Sequence, residues 1–437
     1  MDNKATVFQY LDNHREQIIE YLKTMVSIPS VNTGFPGGGQ EKIVQEWLAS
    51  SLRNFGFEVD MWAEDSEGVR PNVVSIFRGK GGGRNLVLNG HSDVVPINEP
   101  EKWKSDPFVP FVQDGKLYGR GTSDMKGGNT AAIWALKALK DLGIKPSGDV
   151  FLQLVVGEES NEGSTIGTAA AIKRGYTAPF ALVLEPTNLE IHISSVGLFF
   201  FEIIIPGKAV HVCSRNQVVF PQHFGLASGD DVGVDALQKA LPFIDLFYSL
   251  EKQWNQRWKN PVLGGGGSPT HDQQGVGVFT VNPALIEGGT YIGAVPGKVK
   301  LTYSVWYPQN VPMETIMDEI QEKVNSLAAT DDWFRENPPI LNMPVLQNWE
   351  GFTVSEDTLG VEVLKGALNE ALNRKPIISG FRAVCDATYL NQYGIPSVIC
   401  GPGSVSYGVH GDNEYVPVED VIQAAKIYAS FILDWCK

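Results

Sequence analysis

Three stretches of this chain end in the same way. NLVLNGHSD (85–93), DVFLQLVVGEES (149–160) and FALVLEP (180–186) each run almost wholly apolar and then stop on a histidine or an acidic side chain. A strand that is apolar on both faces is buried on both faces, which is the mark of a largely parallel sheet covered by helices. Helical spacing fills the gaps, at Asn129–Leu142 and Thr165–Arg174, so strand and helix alternate as in an α/β domain. Open sheets of this kind build their sites at the carboxyl ends of the strands. The polar residues sit at those ends.

The rest of the chain splits around a second pattern. Two helices are expected first, His14–Met25 and Gln40–Phe55, separated by NTGFPGGG. NVVSIF is one more apolar strand of the α/β sheet. From Ile191 the segment HISSVGLFFFEIIIPGKAVH reads as a long hairpin, followed by the strands VGVFTVNPALIEGG and VKLTYSVWYPQ and an amphipathic helix over Pro312–Leu327. The α/β pattern then returns with a helix at Leu359–Leu372, the strand SVICGPG and a last helix at Val418–Trp435. The expectation is a mostly parallel-sheet domain from 1–195 and 343–437, interrupted by a smaller sheet-plus-helix insert over 196–342. A chain of 437 residues is too long for a single core, which agrees.

Composition removes several classes. Thirty-five Lys and Arg against 50 Asp and Glu leave a net charge of −15, which argues against nucleic acid or an anionic membrane as partner. The most apolar run, Leu198–Ile205, is interrupted by Glu202 and is too short to span a bilayer. The polar N-terminus MDNKATVFQYLDNHREQ has no secretory pattern, and Cys213, Cys385, Cys400 and Cys436 show no paired spacing. A soluble protein in the reducing cytoplasm is expected. LGGGGSP (263–269) reads as a flexible loop of the insert, and GKGGGR (79–84) precedes a strand rather than a helix, so neither is a phosphate loop.

Five short motifs carry the chemistry. In NGHSDVVP, His91 and Asp93 lie two apart at a strand end and so share a face. They suit a metal ligand and the carboxylate that orients it, or a pair of strand-end caps. Asp124 in GRGTSDMKGG lies just before a helix and would serve equally as its N-cap. Glu158 and Glu159 stand side by side in VVGEES with no basic neighbour, a costly arrangement unless a cation or a proton intervenes. Glu185 follows an apolar strand in LVLEPTN, and His410 lies in GVHGDNEYVP, where Glu414 is an alternative ligand and Asp412 and Glu414 are alternatively solubilising groups. Together, two histidines and three carboxylates form a ligand set for two divalent cations sharing one carboxylate, with a fourth carboxylate free as base.

In this order, NGHSDVVP, GRGTSDMKGG, GEESNEG, LEPT and HGDNEY resemble the dinuclear zinc peptidases and deacylases. That family includes acetylornithine deacetylase, succinyl-diaminopimelate desuccinylase, aminoacylase and glutamate carboxypeptidase. The resemblance implies that His91 and Glu185 hold one metal, Glu159 and His410 the other, and Asp124 bridges. Zinc is the expected metal, with cobalt or manganese as alternatives. Asp93 would orient His91, and Glu158 would be general base and acid toward a metal-activated water. It further implies a ferredoxin-like α+β insert acting as dimerisation and lid domain. From that domain His211, in PGKAVHVCS, would reach across a homodimer to the partner's oxyanion. Glu at position 185 goes with deacylases and carboxypeptidases. The activity implied is hydrolysis of an amide C–N bond in a small molecule, with a carboxypeptidase or dipeptidase as the alternative and a silent scaffold as the remote one.

The chain departs from the family where carboxylates are clamped. Trp306 in TYSVWYPQ and Thr388 in VCDATYL stand where relatives carry arginine, and Ala294 stands for a usual asparagine. Arg382 or Arg215 could compensate. Neither Trp nor Thr reproduces a bidentate guanidinium, so the expected substrate lacks an α-carboxylate and presents an aromatic or neutral group near Trp306. The loop 216–234 looks extended, at the place where the dimer contact and lid are expected. His14, His192, His223 and His271 match no motif and are expected to be structural or surface residues.

Overall fold

The computed structural model describes residues 3–160, 162–219, 232–263 and 277–437. The chain forms two compact units, Met1–Ser194 with Thr353–Lys437, and Ser195–Phe352. The glycine-rich loop beyond Leu263, the 220–231 part of the long loop, His223 and His271 lie outside the described residues.

The first unit contributes β1 (Glu58–Ala63), β2 (Pro71–Phe77), β3 (Leu86–His91), β4 (Phe111–Gln113), β5 (Lys116–Tyr118), β6 (Val150–Val155), β7 (Ala181–Val183) and β8 (Ile191–Ser195). The second holds β9 (Gly197–Pro206), β10 (Thr280–Gly288), β11 (Lys298–Tyr307) and β12 (Ile340–Trp349). The chain then returns to the first unit for β13 (Ile378–Phe381), β14 (Ser397–Ile399) and β15 (Tyr415–Pro417).

The main sheet has the order β1-β2-β6-β3-β7-β14-β8-β13. Its centre, β6-β3-β7-β14, is parallel, whereas β2 meets β1 and β6 antiparallel and β8 meets β14 antiparallel. Every residue of β2, β3, β6 and β7 is buried. Apolar composition reports burial and not strand direction, which is why NVVSIF reads like its parallel neighbours. Two glycines let the covering helix Gly127–Asp141 come close. A Cβ on Gly128 would lie 2.2 Å from the Leu184 carbonyl oxygen, and one on Gly90 would lie 2.1 Å from Asn129 Oδ1. The Asn129 side chain donates to the His91 carbonyl at 2.6 Å, so the helix grips the strand end that carries the site.

Several expectations are corrected. The segment after Ile191 is not a hairpin: β8 belongs to the first unit's sheet and β9 to the second's, with the break at Val196. Both strands are largely buried and follow one another with only Val196 between them, so the sequence shows no break at the boundary. A helix at Asn3–Asn13 precedes the expected one, which runs Arg15–Val26. Only Val7 and Leu11 of that first helix are buried, too sparse a stripe to read in advance.

In the second unit the chain order is β9, helix Ala236–Arg257, β10, β11, helix Met313–Ala328, β12. The sheet order β10-β11-β9-β12, antiparallel throughout, makes this the ferredoxin-like βαββαβ arrangement. Phe199, Phe201, Ile203 and Ile205 alternate along β9 onto one face, where they share a core with Phe243, Phe247, Trp254, Ile316, Ile320 and Val324 of the two helices. Because β12 pairs with β9, the unit runs on to Phe352. The long helix Ala236–Arg257 is capped by the Asp235 carboxylate and contains Pro242, a residue that reads as a helix stop. No helix among the described residues is long and apolar enough to cross a membrane.

Candidate active site

Strand register brings three motifs to one edge. His91 ends β3 opposite Val155 of β6, and Val183 of β7 pairs with Asn89 of β3 and Ile399 of β14. Glu158 and Glu159 follow β6 and Glu185 follows β7, so all emerge at the carboxyl ends of parallel strands. Asp124 lies in the turn ahead of the helix Gly127–Asp141 with extended backbone (φ −117°, ψ 96°). The residue at the helix N-cap is Lys126, so Asp124 is not the cap. His410 adopts the left-handed conformation, φ 59°, which is uncommon for a residue with a Cβ and is typical of functional loops.

The side chains meet on Asp124. Its Oδ1 lies 3.2 Å from His91 Nε2, and its Oδ2 lies 3.2 Å from His410 Nε2. Glu185 Oε1 is 3.4 Å from His91 Nε2, and Glu159 Oε2 is 3.0 Å from His410 Nε2. One carboxylate thus joins two clusters of one imidazole and one further carboxylate each. Two ligands on a tetrahedral zinc at about 2.0–2.1 Å are about 3.3 Å apart, and these contacts have that spacing. His91, Asp124 and Glu159 each offer a donor atom within 4.8 Å of the others. The donor set fits divalent cations.

The electrostatics require counter-charge. Burial, followed by the charge of Asp124, pushes the Glu185 carboxyl up to about 8. Burial likewise raises Glu159 and, most strongly, Glu158. Burial opposes charge on His410, but Glu159 and Asp124 outweigh it and lift the imidazole to about 11. Burial would also raise Asp124, yet its contacts with His410 and His91 hold it well below the usual carboxylate range. Metal ligands bind in their deprotonated forms, so a cation entering this pocket would compete with protons on the raised Glu159 and Glu185 carboxyls and the His410 imidazole.

His91 is aimed by its other nitrogen. Nδ1 lies 2.9 Å from the main-chain oxygen of Asp93 and 3.7 Å from its Oδ1. The backbone oxygen is therefore the nearer partner. Glu158 Oε2 lies 4.0 Å from His91 Nε2, beside the clusters and outside their shortest contacts.

Glu414 is neither ligand nor surface group. It is fully buried and accepts from Arg120 Nη1 at 2.8 Å and from the backbone N–H groups of Gly121 (2.9 Å), Ser123 (2.9 Å) and Asp124 (3.1 Å). Arg120 also donates to the Gly411 carbonyl at 2.9 Å, so this pair ties the His410 loop to the Asp124 turn. The acidic run HGDNEY gave no sign of which carboxylate points inward. Glu414→Ala leaves Arg120 buried without its partner, and unfolding in urea is expected to show a loss of about 3–5 kcal/mol.

The remaining candidates are dispersed. Thr388 is wholly buried in the helix Ala387–Gln392 and offers no surface to a ligand. Arg382 is exposed. Arg215 is ion-paired with Asp235. In the second unit Trp306 is half-buried on β11, and His211 is exposed. His211 Nδ1 accepts the Cys213 N–H at 3.2 Å, and His211 bridges Ala294 across the adjoining backbone.

Sheet, insert and clustered ligands define a metal-dependent hydrolase of amide bonds. The chain belongs to peptidase family M20/M25/M40, whose description matches residues 87–434. It is 32% identical over 98% of its length to N-formyl-4-amino-5-aminomethyl-2-methylpyrimidine deformylase of Bacillus subtilis (strain 168), covering 96% of that protein. It is 25% identical over 88% of its length to succinyl-diaminopimelate desuccinylase of Gluconacetobacter diazotrophicus, covering 90% of that protein. Human carnosine dipeptidase 1 shares the fold, with a TM-score of 0.74 at 16% identity over 100% of this chain and 99% of that one.

Proposed function

We propose that this hydrolase removes a formyl or similarly small acyl group from an amine borne on a neutral aromatic heterocycle. The observation that carries the metal chemistry is Asp124, whose two carboxylate oxygens each lie 3.2 Å from a different histidine. His91 and Glu185 would hold one divalent cation and His410 and Glu159 another, with Asp124 shared. Zinc suits such N and O donors, and cobalt or manganese would also fit. When bound, the cations supply Lewis acidity toward the amide carbonyl and lower the pKa of water. Glu158 takes the proton from the attacking water and delivers it to the leaving nitrogen. Asp93 and its backbone carbonyl keep His91 Nε2 facing Asp124 and Glu185.

Two observations support the substrate class. The positions that resemble the family's carboxylate-clamping arginines hold Trp306 and Thr388. The Bacillus subtilis relative is named for a formamide on a pyrimidine, an aromatic molecule without a carboxylate. His211 is proposed to stabilise the oxyanion in the site of a second copy. Accepting the Cys213 N–H through Nδ1 leaves its hydrogen on Nε2, as an oxyanion donor needs. Association into a homodimer has support in the edge strands of the second unit, where Leu285, Ile286 and Leu346 stand 59%, 63% and 75% exposed. A cytoplasmic location has support in four free thiols.

The test is a panel of formylated aminomethylpyrimidines and other aromatic formamides, N-acyl amino acids, and dipeptides. Leaving a substrate carboxylate without its charged partner forfeits about 1.5–3 kcal/mol. kcat/KM is therefore expected to favour the aromatic formamides by about 10–100-fold. Equal or better turnover of N-acetylornithine or of dipeptides would overturn the substrate assignment and restore the deacetylase or dipeptidase reading.

A further inference from the structure

The turn that carries Glu158 and Glu159 is held from a part of the chain that the family description does not reach. Arg70 lies ahead of residue 87 and is only 7% exposed. Its Nε donates to Glu41 Oε2 at 2.7 Å and its Nη2 to Glu41 Oε1 at 3.2 Å, while Nη1 donates to Glu162 Oε2 at 2.5 Å. Ser160 Oγ donates to the same Glu162 oxygen at 2.5 Å. The guanidinium therefore joins the buried Glu41, at the start of the helix Glu41–Asn54, to the turn just beyond the two site glutamates.

A second branch reaches His91. Arg70 Nη2 also lies 3.2 Å from Asn32 Oδ1, which the Gly34 N–H engages at 2.7 Å. With its oxygen so occupied, the Asn32 amide points its Nδ2 at Asp93 Oδ2, 2.6 Å away. The same Asp93 oxygen accepts the Glu159 N–H at 3.1 Å. Asp93 Oδ2 is thus committed, and Oδ1 has no hydrogen-bond partner among the described residues and stands 3.7 Å from His91 Nδ1. The packing is tight as well. A Cβ on Gly34 would come within 2.5 Å of Ser160 Cβ.

We propose that Arg70, acting through Asn32 and Glu162, is the positioning residue for the Glu158–Glu159 turn and the Asp93 carboxylate. The planar fork matters as much as the charge, because one side chain must satisfy Glu41, Glu162 and Asn32 together. Asn32, Gly34, Glu41 and Arg70 lie ahead of residues 87–434, the span matched by the family description, while the Asp93 and Glu162 they hold lie within it.

The experiment compares Arg70→Met, Arg70→Lys, Asn32→Ala and Gly34→Ala with wild type and with Arg78→Met, which removes an exposed guanidinium paired to Glu58 and Asp149. Metal affinity is read by titrating zinc into chelator-treated protein, alongside kcat, KM and the urea midpoint. Groups that brace metal ligands change affinity by about 10–100-fold when removed. Arg70→Met and Asn32→Ala are expected to weaken zinc binding by that factor and to lower kcat similarly, with KM changed less than about twofold. Arg70→Lys should not rescue, Gly34→Ala should shift in the same direction without any change of charge, and Arg78→Met should match wild type. Wild-type zinc affinity per folded molecule in Asn32→Ala and Arg70→Met, whatever their urea midpoints, would overturn the proposal. So would full rescue by Arg70→Lys. If Arg70→Met does not fold, Asn32→Ala and Gly34→Ala decide. The turnover arm rests on the proposed substrate class and the zinc arm does not, so failure of the substrate leaves the clamp tested.

Discussion

With Glu158 replaced by Gln, turnover falls by about 10³-fold while bound metal stays at the wild-type level. The substitution keeps shape and volume and removes only the ability to accept and return a proton. Glu158 stands outside the shortest ligand contacts, 4.0 Å from His91 Nε2, so no cation loses a donor. The sign of the accompanying stability change follows from the same burial. Burial holds the Glu158 carboxyl well above its ordinary 4.5, with the charges of Glu185 and Glu159 adding to the effect. Between the ordinary and the raised value the folded chain binds a proton that the unfolded chain has released, so stability falls as pH rises through that window. Metal-free Glu158→Gln should therefore be more stable than the metal-free parent above the window. The advantage should vanish below 4.5, where both side chains are neutral. Urea unfolding across pH reads this. A Gln variant that keeps its turnover would remove Glu158 from the reaction.

Asp124→Asn is expected to be as damaging to turnover and far more damaging to metal binding. Among the described residues Asp124 alone touches both histidines, and the flanking carboxylates Glu159 and Glu185 each reach only one of them within 3.4 Å. An amide is nearly isosteric with a carboxylate but offers one neutral oxygen in place of two charged ones. In the proposed two-cation arrangement the single substitution takes a charged oxygen from each position, and kcat should fall by about 10³-fold or more, since metals supply several kcal/mol of transition-state stabilisation. Zinc titration should show weakening at both positions. Loss at one position alone would mean that Asp124 does not bridge.

Much of this site was legible because its residues follow from strand ends. Apolar runs closing on His91, Glu158 and Glu185 needed no structure to place them at one sheet edge, since parallel register aligns such ends. Elements that matched their expected bounds, such as Leu359–Leu372 and Val418–Trp435, carry dense apolar stripes. What escaped was held by contacts between residues far apart in sequence. Glu414 looks like any acidic loop residue until Arg120 and three backbone N–H groups are seen around it. Arg70 and Asn32 lie in no motif, and only the fold brings them to Asp93 and Glu162. The helix Ala236–Arg257 was hidden by Pro242, and the unit boundary at Ser195 by the near-continuity of two extended segments, Ile191–Ser195 and Gly197–Pro206. Thr388 was expected near substrate and is buried, because its position in VCDATYL does not reveal which face of the short helix is covered.

The most direct test of the account is the number of metal equivalents per chain, followed through graded chelation and refilling with zinc while turnover of an aromatic formamide is recorded. Two equivalents per chain are predicted, with activity lost on chelation and restored only as both positions fill. A folded protein that binds no metal, binds a single equivalent at full activity, or keeps its turnover after chelation would contradict it.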